Sequence, residues 1–124
     1  MIDFCLVGAG FIGPVHAANL AANPGARLKW VIDLDLHAAE VLAAKRDARA
    51  GRDLGEALAD RAIGAVIVCT PPRTHTPIIE AAARAGKAIF CEKPIDLDLA
   101  RVEACAEVLA SCQQQGTAAR DAGG

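Results

Sequence analysis

Gly8-Ala9-Gly10-Phe11-Ile12-Gly13 is the stretch that decides the fold. Before it, Ile2–Val7 is an apolar run broken only by Asp3, as expected of a buried strand feeding a tight turn. After it, residues 11–22 read as a helix. Pro14 falls in its first turn, where a missing N–H costs little, and Asn23-Pro24-Gly25 stops it. An acidic residue, Asp33, stands 20 positions beyond Gly13, at the end of the next apolar run. A GxGxxG string alone says little, because any glycine-rich turn can match it. Strand, glycine loop, helix, strand and acid in this order form the dinucleotide-binding fingerprint. Gly8 permits the turn, Gly10 lets a pyrophosphate approach the backbone, and Gly13 lets the helix pack close to the sheet. Phe11 and Ile12 complete the loop, and the helix N-terminus offers free N–H groups to phosphate.

The rest of the chain continues the alternation. Residues 27–32 read as a strand and 36–45 as a helix. Residues 46–52 are the least legible, with 48–50 as a weak third strand. A short helix follows over 54–62, with Asp53 as its cap, then a clean apolar strand over 65–69. Thr70-Pro71-Pro72 stops that strand, and the prolines forbid helix before Thr74. A helix over 76–85 ends at Gly86, a strand covers 87–91, and Asp96 can cap a last helix over 97–112. This alternation predicts an α/β fold: a doubly wound parallel sheet of Rossmann type in three α/β/α layers. The expected strand order is 3-2-1-4-5. Residues 1–112 are expected to form the dinucleotide-binding domain, and 113–124 a polar, mobile tail.

Composition narrows the function classes. The chain has 124 residues, room for one domain and not two. It is 53% hydrophobic, so a core is affordable, and only 3% aromatic, which suits base stacking poorly. Thirteen basic and fifteen acidic side chains leave a net charge of -2 with no basic run, so nothing drives binding to nucleic acid or anionic lipid. No apolar run approaches the roughly 20 residues of a membrane span, and no secretory signal opens the chain. A cytoplasmic location is therefore expected. Five cysteines, an odd number without CxxC spacing, are expected to be reduced structural thiols, and no metal site is expected.

Several residues are candidates for the site. The Asp33 carboxylate can accept hydrogen bonds from ribose hydroxyls and would repel a 2′-phosphate, so NAD is favoured over NADP. Asp33 could instead cap the second helix, although Asp35 fits that role better. The loop Cys69-Thr70-Pro71-Pro72-Arg73-Thr74-His75 follows the fourth strand, where open parallel sheets place their ligands. It also fits an ordinary strand-to-helix turn. Glu92-Lys93-Pro94 follows the fifth strand, so Lys93 could donate to a substrate oxygen or carry a proton, or be a solvated surface lysine.

Taken together, Gly8 to Gly13 with His16, Asp33, the run from Ala65 to Pro72 with His75, and Cys91-Glu92-Lys93-Pro94 resemble the N-terminal domain of the glucose–fructose oxidoreductase and inositol dehydrogenase (Gfo/Idh/MocA) family. The resemblance spans residues 2–112. It implies an oxidoreductase that moves hydride between nicotinamide and a hydroxyl carbon of a sugar, cyclitol or related polyol. It implies that Lys93 touches substrate and nicotinamide ribose and assists proton transfer. Thr70, Pro71 and His75 would line the cofactor, with Cys69 in the same loop and Glu92 beside it. His16 matches the family's position on the first helix and fits a packing histidine equally well. Members carry a second α/β domain for substrate, which this sequence lacks, so the chain is expected to be truncated and inactive alone. The alternatives are a non-catalytic NAD-binding module, a subunit completed by a separate chain, and an S-adenosylmethionine-dependent methyltransferase. A face left uncovered by the missing domain would favour homo-oligomers.

Overall fold

The computed structural model describes residues 1–91 and 102–111. The expected Asp96 cap, the start of the last helix, residue 112 and the 113–124 tail lie outside the described residues.

The first strand, β1 (Ile2–Val7), is buried at every position after Ile2. A strand so placed must be central and covered on both faces, which an all-parallel sheet requires. It pairs in parallel with β2 (Ala26–Ile32) on one side and β4 (Ile63–Val68) on the other. β3 (Arg49–Gly51) lies outside β2, and β5 (Ala88–Cys91) outside β4. The order is β3-β2-β1-β4-β5, as the alternation predicts.

Because side chains alternate along a strand, β1 supplies two cores. Phe4 and Leu6 join Ala17 and Leu20 of α1 (Gly13–Ala22) and Ala39, Leu42 and Ala43 of α2 (Leu36–Arg46). Cys5 and Val7 join Ala57 of α3 (Leu54–Leu58), Ile79 and Ala82 of α4 (His75–Arg84), and Cys105 of the helical segment 102–111. Helices therefore cover both faces, giving three layers. Alanine dominates the helix contacts, which lets the helices sit close to the sheet. Burial pushes the Cys5 thiol up to about 12, which makes it inert packing. Cys5, Cys69, Cys91 and Cys105 form no disulfide. No helix among the described residues is long and apolar enough to cross a membrane.

The third strand is one residue later than the weak run at 48–50, and only three residues long. It is held by pairing with Trp30–Ile32, and the Arg49 guanidinium lies 5.6 Å from the Trp30 ring centroid. Asp47, in the left-handed region at φ 55, ends α2 just before it. The helix after β3 is also shorter than the expected 54–62. Asp60 breaks it, because its carboxylate accepts from the Ala62 N–H at 3.0 Å and stabilises a turn instead.

That same carboxylate accepts from the Trp30 indole N–H at 3.0 Å and pairs with Lys29 Nζ at 2.8 Å. Lys29, then the indole and the Ala62 amide, hold Asp60 well below the usual carboxylate range. Asp3 is lowered too, by Arg27, which grips it through two bonds of 2.8 and 2.7 Å. A depressed folded-state pKa contributes stability above the unfolded value of about 3.9, and that stability is lost as pH falls below it. The melting temperature is therefore expected to fall more steeply from pH 5 to pH 3 in the wild type than in an Asp60→Asn variant, followed by circular dichroism. Equal slopes would mean that these contacts add nothing.

Candidate functional site

The carboxyl ends of β1, β2 and β4 are tied together by backbone bonds. Gly8 N–H donates to Ile32 O at 2.8 Å, and Cys69 N–H donates to Val7 O at 2.8 Å. Gly8 turns the chain at φ +104. A Cβ there would lie 2.8 Å from the Cys69 carbonyl carbon, so only glycine fits between the loop and β4. At Gly13 a Cβ would run into the Gly8 carbonyl, because α1 starts directly under the loop. Gly10 is different. It is exposed, and a Cβ there would meet nothing within 4 Å.

α1 begins with no side-chain cap on its free N–H groups. In contrast, α2 is capped by Asp35, which accepts from Ala38 N–H at 3.3 Å, and α3 by Asp53, which accepts from Gly55 N–H at 2.9 Å. The helix behind the glycine loop is thus left open to an anion.

Asp33 ends β2 half-buried. Its Oδ2 accepts from Ala9 N–H at 2.8 Å and its Oδ1 from Asp35 N–H at 2.9 Å, so the carboxylate is fixed against the glycine loop. Asp35, not Asp33, caps α2, as the sequence suggests.

On the β4 side the loop after Val68 does not run straight to α4. Pro72–Thr74 forms a 3₁₀ turn, which corrects the expectation that the prolines forbid helix before Thr74. Pro71 is extended, and Pro72 takes the first helical position, which proline tolerates. The Pro71 carbonyl can only accept, so the Thr74 hydroxyl donates to it at 2.6 Å and accepts from the Thr70 hydroxyl at 2.6 Å. His75 is 1% exposed, and its Nε2–H donates to the Thr70 carbonyl at 2.5 Å.

A cavity of about 520 Å³ opens between these segments. Of the residues singled out from the sequence, Gly8, Gly10, Asp33, Cys69, Thr70 and Pro71 line it. Gly13 supports the loop from beneath, and His75 braces the Thr70 turn from inside, contrary to a lining role. Phe11 is 99% exposed beside the cavity rather than in its wall, and Ile12 and His16 are half-buried outside it. Glu92 and Lys93 lie outside the described residues; they follow Cys91, the last residue of β5, which pairs with Val68. Arg73 and Thr74, in the candidate loop after β4, also line it, whereas Leu34, Arg52, Asp53 and Ile78 line it and were missed. Arg52 and Asp53 directly follow β3, a strand that the sequence marks only weakly and one residue early. The rule that ligands gather at strand ends would have found them. Among the described residues, no cluster of His, Cys, Asp or Glu could hold a metal.

Residues 2–120 match the oxidoreductase family with an NAD-binding Rossmann fold, Gfo/Idh/MocA. The chain belongs to this family. It is 51% identical over 109 residues to an inositol 2-dehydrogenase of Rhizobium meliloti, covering 87% of this chain and 32% of that protein. It is 40% identical over 104 residues to a scyllo-inositol 2-dehydrogenase (NAD(+)) of Bacillus subtilis, covering 82% and 30%. Among solved structures, GenD2 from gentamicin A biosynthesis, in complex with NAD, superposes with a TM-score of 0.85 at 37% identity. The match covers 90% of this chain and 32% of that one. The chain therefore spans about a third of the length of its relatives. It is the NAD-binding domain of this oxidoreductase family, which sets the methyltransferase alternative aside.

The cavity fits such a cofactor. Its volume falls within the range of about 300–1,000 Å³ common for cofactor sites. The open face at Gly10, the uncapped N-terminus of α1 and the fixed Asp33 carboxylate would meet the pyrophosphate and the ribose.

Proposed function

We propose that this chain binds NAD in preference to NADP, across the carboxyl ends of β1 to β4. In the whole protein it would serve as the cofactor half of a dehydrogenase for a hydroxyl carbon of a cyclitol, sugar or related polyol. The observation that carries this is Gly10. Nothing in the fold asks for glycine there, and a pyrophosphate lying against the backbone does. Asp33 supports NAD, since its pinned carboxylate can take up ribose hydroxyls and would repel a 2′-phosphate. Thr70 and Pro71 would flank the cofactor's nicotinamide half, with Cys69 beneath them and His75 holding the turn. The relatives named inositol 2-dehydrogenase support the substrate class.

Bound NAD would supply the hydride acceptor. Lys93, in its neutral form, would take the proton leaving the substrate hydroxyl, so that both atoms are accounted for. Its position two residues after β5 supports that role, and Glu92 would stand beside the cofactor. Calorimetric titration of the chain tests the binding half of this proposal. Saturable NADH binding, clearly tighter than NADPH binding, is expected. Equal affinities would remove the selectivity assigned to Asp33.

A further inference from the structure

Arg52 and Asp33 line the same cavity from just past the ends of two neighbouring strands. The β2–β3 register pairs Ile32 with Gly51, and Asp33 N–H donates to Gly51 O at 3.1 Å. Asp33 and Arg52 are thus the next positions on adjacent strands, and both line the cavity. Asp33 has both oxygens engaged by backbone N–H groups, and the Asp53 side chain is engaged in capping α3. Among the described residues, Arg52 is exposed and makes no ion pair, so its guanidinium is uncommitted.

The strand order gives this arrangement a direction. With a pyrophosphate on the glycine loop after β1 and a ribose on Asp33 after β2, the next strand outward is β3, and Arg52 follows its last residue, Gly51, where a 2′-phosphate would reach. A guanidinium matches a phosphate with paired N–H donors and is its preferred side-chain partner.

We propose that Arg52 tempers the selectivity set by Asp33: it holds the 2′-phosphate of NADPH, so that the site takes NADPH as a second, weaker cofactor. The proposal rests on the cofactor reading above. Arg73, on the β4 loop across the cavity, is the second guanidinium in the wall and the natural comparison.

The test is titration of the full chain, as wild type, Arg52→Ala and Arg73→Ala, with NADH and NADPH. The wild type should bind both, NADPH more weakly. Arg52→Ala should lower NADPH affinity about tenfold or more, the size of one lost charge-assisted bond, while shifting NADH less than about threefold. Arg73→Ala should shift both cofactors alike. Equal losses for the two cofactors in Arg52→Ala would mean that Arg52 only stacks on adenine, and would overturn the proposal. So would a wild type that binds NADH and not NADPH, or a selectivity change that follows Arg73. If a folded wild type binds neither cofactor, the cofactor reading fails, and this proposal with it.

Discussion

A Gly10→Ala variant is expected to melt at the wild-type temperature or slightly above it, and to lose NADH affinity by about 10- to 100-fold. The added methyl meets no protein atom within 4 Å, and the backbone there is not in the left-handed region. Alanine also narrows the unfolded ensemble, worth about 0.4–1 kcal/mol in favour of the fold. The methyl would occupy the surface on which the pyrophosphate rests. Forcing one extra carbon into a fitted contact costs about 1–3 kcal/mol, which sets the expected loss. Gly13→Ala should behave in the opposite way, because its methyl strikes the Gly8 carbonyl, which is backbone and cannot rotate aside. α1 must then lift from the sheet. A cost of about 1–3 kcal/mol would lower the melting temperature by at least about 4 °C and weaken NADH binding as well. Melting curves and NADH titrations on the two variants separate the two reasons for glycine. If Gly10→Ala melts early, or binds NADH normally, Gly10 does not face the cofactor.

Replacing Asp33 by alanine should have an effect at least as large. The carboxylate holds the Ala9 and Asp35 N–H groups at 2.8 and 2.9 Å and, in the proposed complex, two ribose hydroxyls. Hydrogen bonds to a charged group contribute about 1.5–3 kcal/mol each, so losing the two ribose contacts should weaken NADH binding by about 100-fold or more. Stability should fall as well, because Ala9 N–H loses its partner where the loop is half-buried. Asp33→Asn keeps an acceptor for one of the two amides and should lie between wild type and alanine in both measurements. An alanine variant that binds NADH with wild-type affinity would remove Asp33 from the site.

Much of this architecture is legible in the sequence because its signals are local. The apolar runs of β1, β2 and β4 mark buried parallel strands, and the Gly8–Gly13 loop takes its meaning from the strand before it and the helix after it. Asp35 and Asp53 announce their helices as caps. What stays hidden depends on partners distant in sequence. β3 exists because Trp30–Ile32 offers it a pairing edge, and its own three residues carry no strand pattern. α3 ends where the Asp60 carboxylate takes the Ala62 N–H, and Trp30 and Lys29, which also hold that carboxylate, lie outside any window along the chain. For the same reason Arg52 and Asp53 were missed as cavity residues. His75 shows the converse limit: its place in the loop was plain, yet only the fold shows it turned inward to the Thr70 carbonyl.

The most direct test of the central claim is the map of backbone amide shifts when NADH is added to the isotopically labelled chain. Saturable shifts should concentrate at Gly8 to Gly13, at Asp33 and Leu34, and at Cys69 and Thr70, the ends of β1, β2 and β4. Shifts centred elsewhere on a folded chain, or none at saturating NADH, would contradict the assignment of this cleft as the cofactor site.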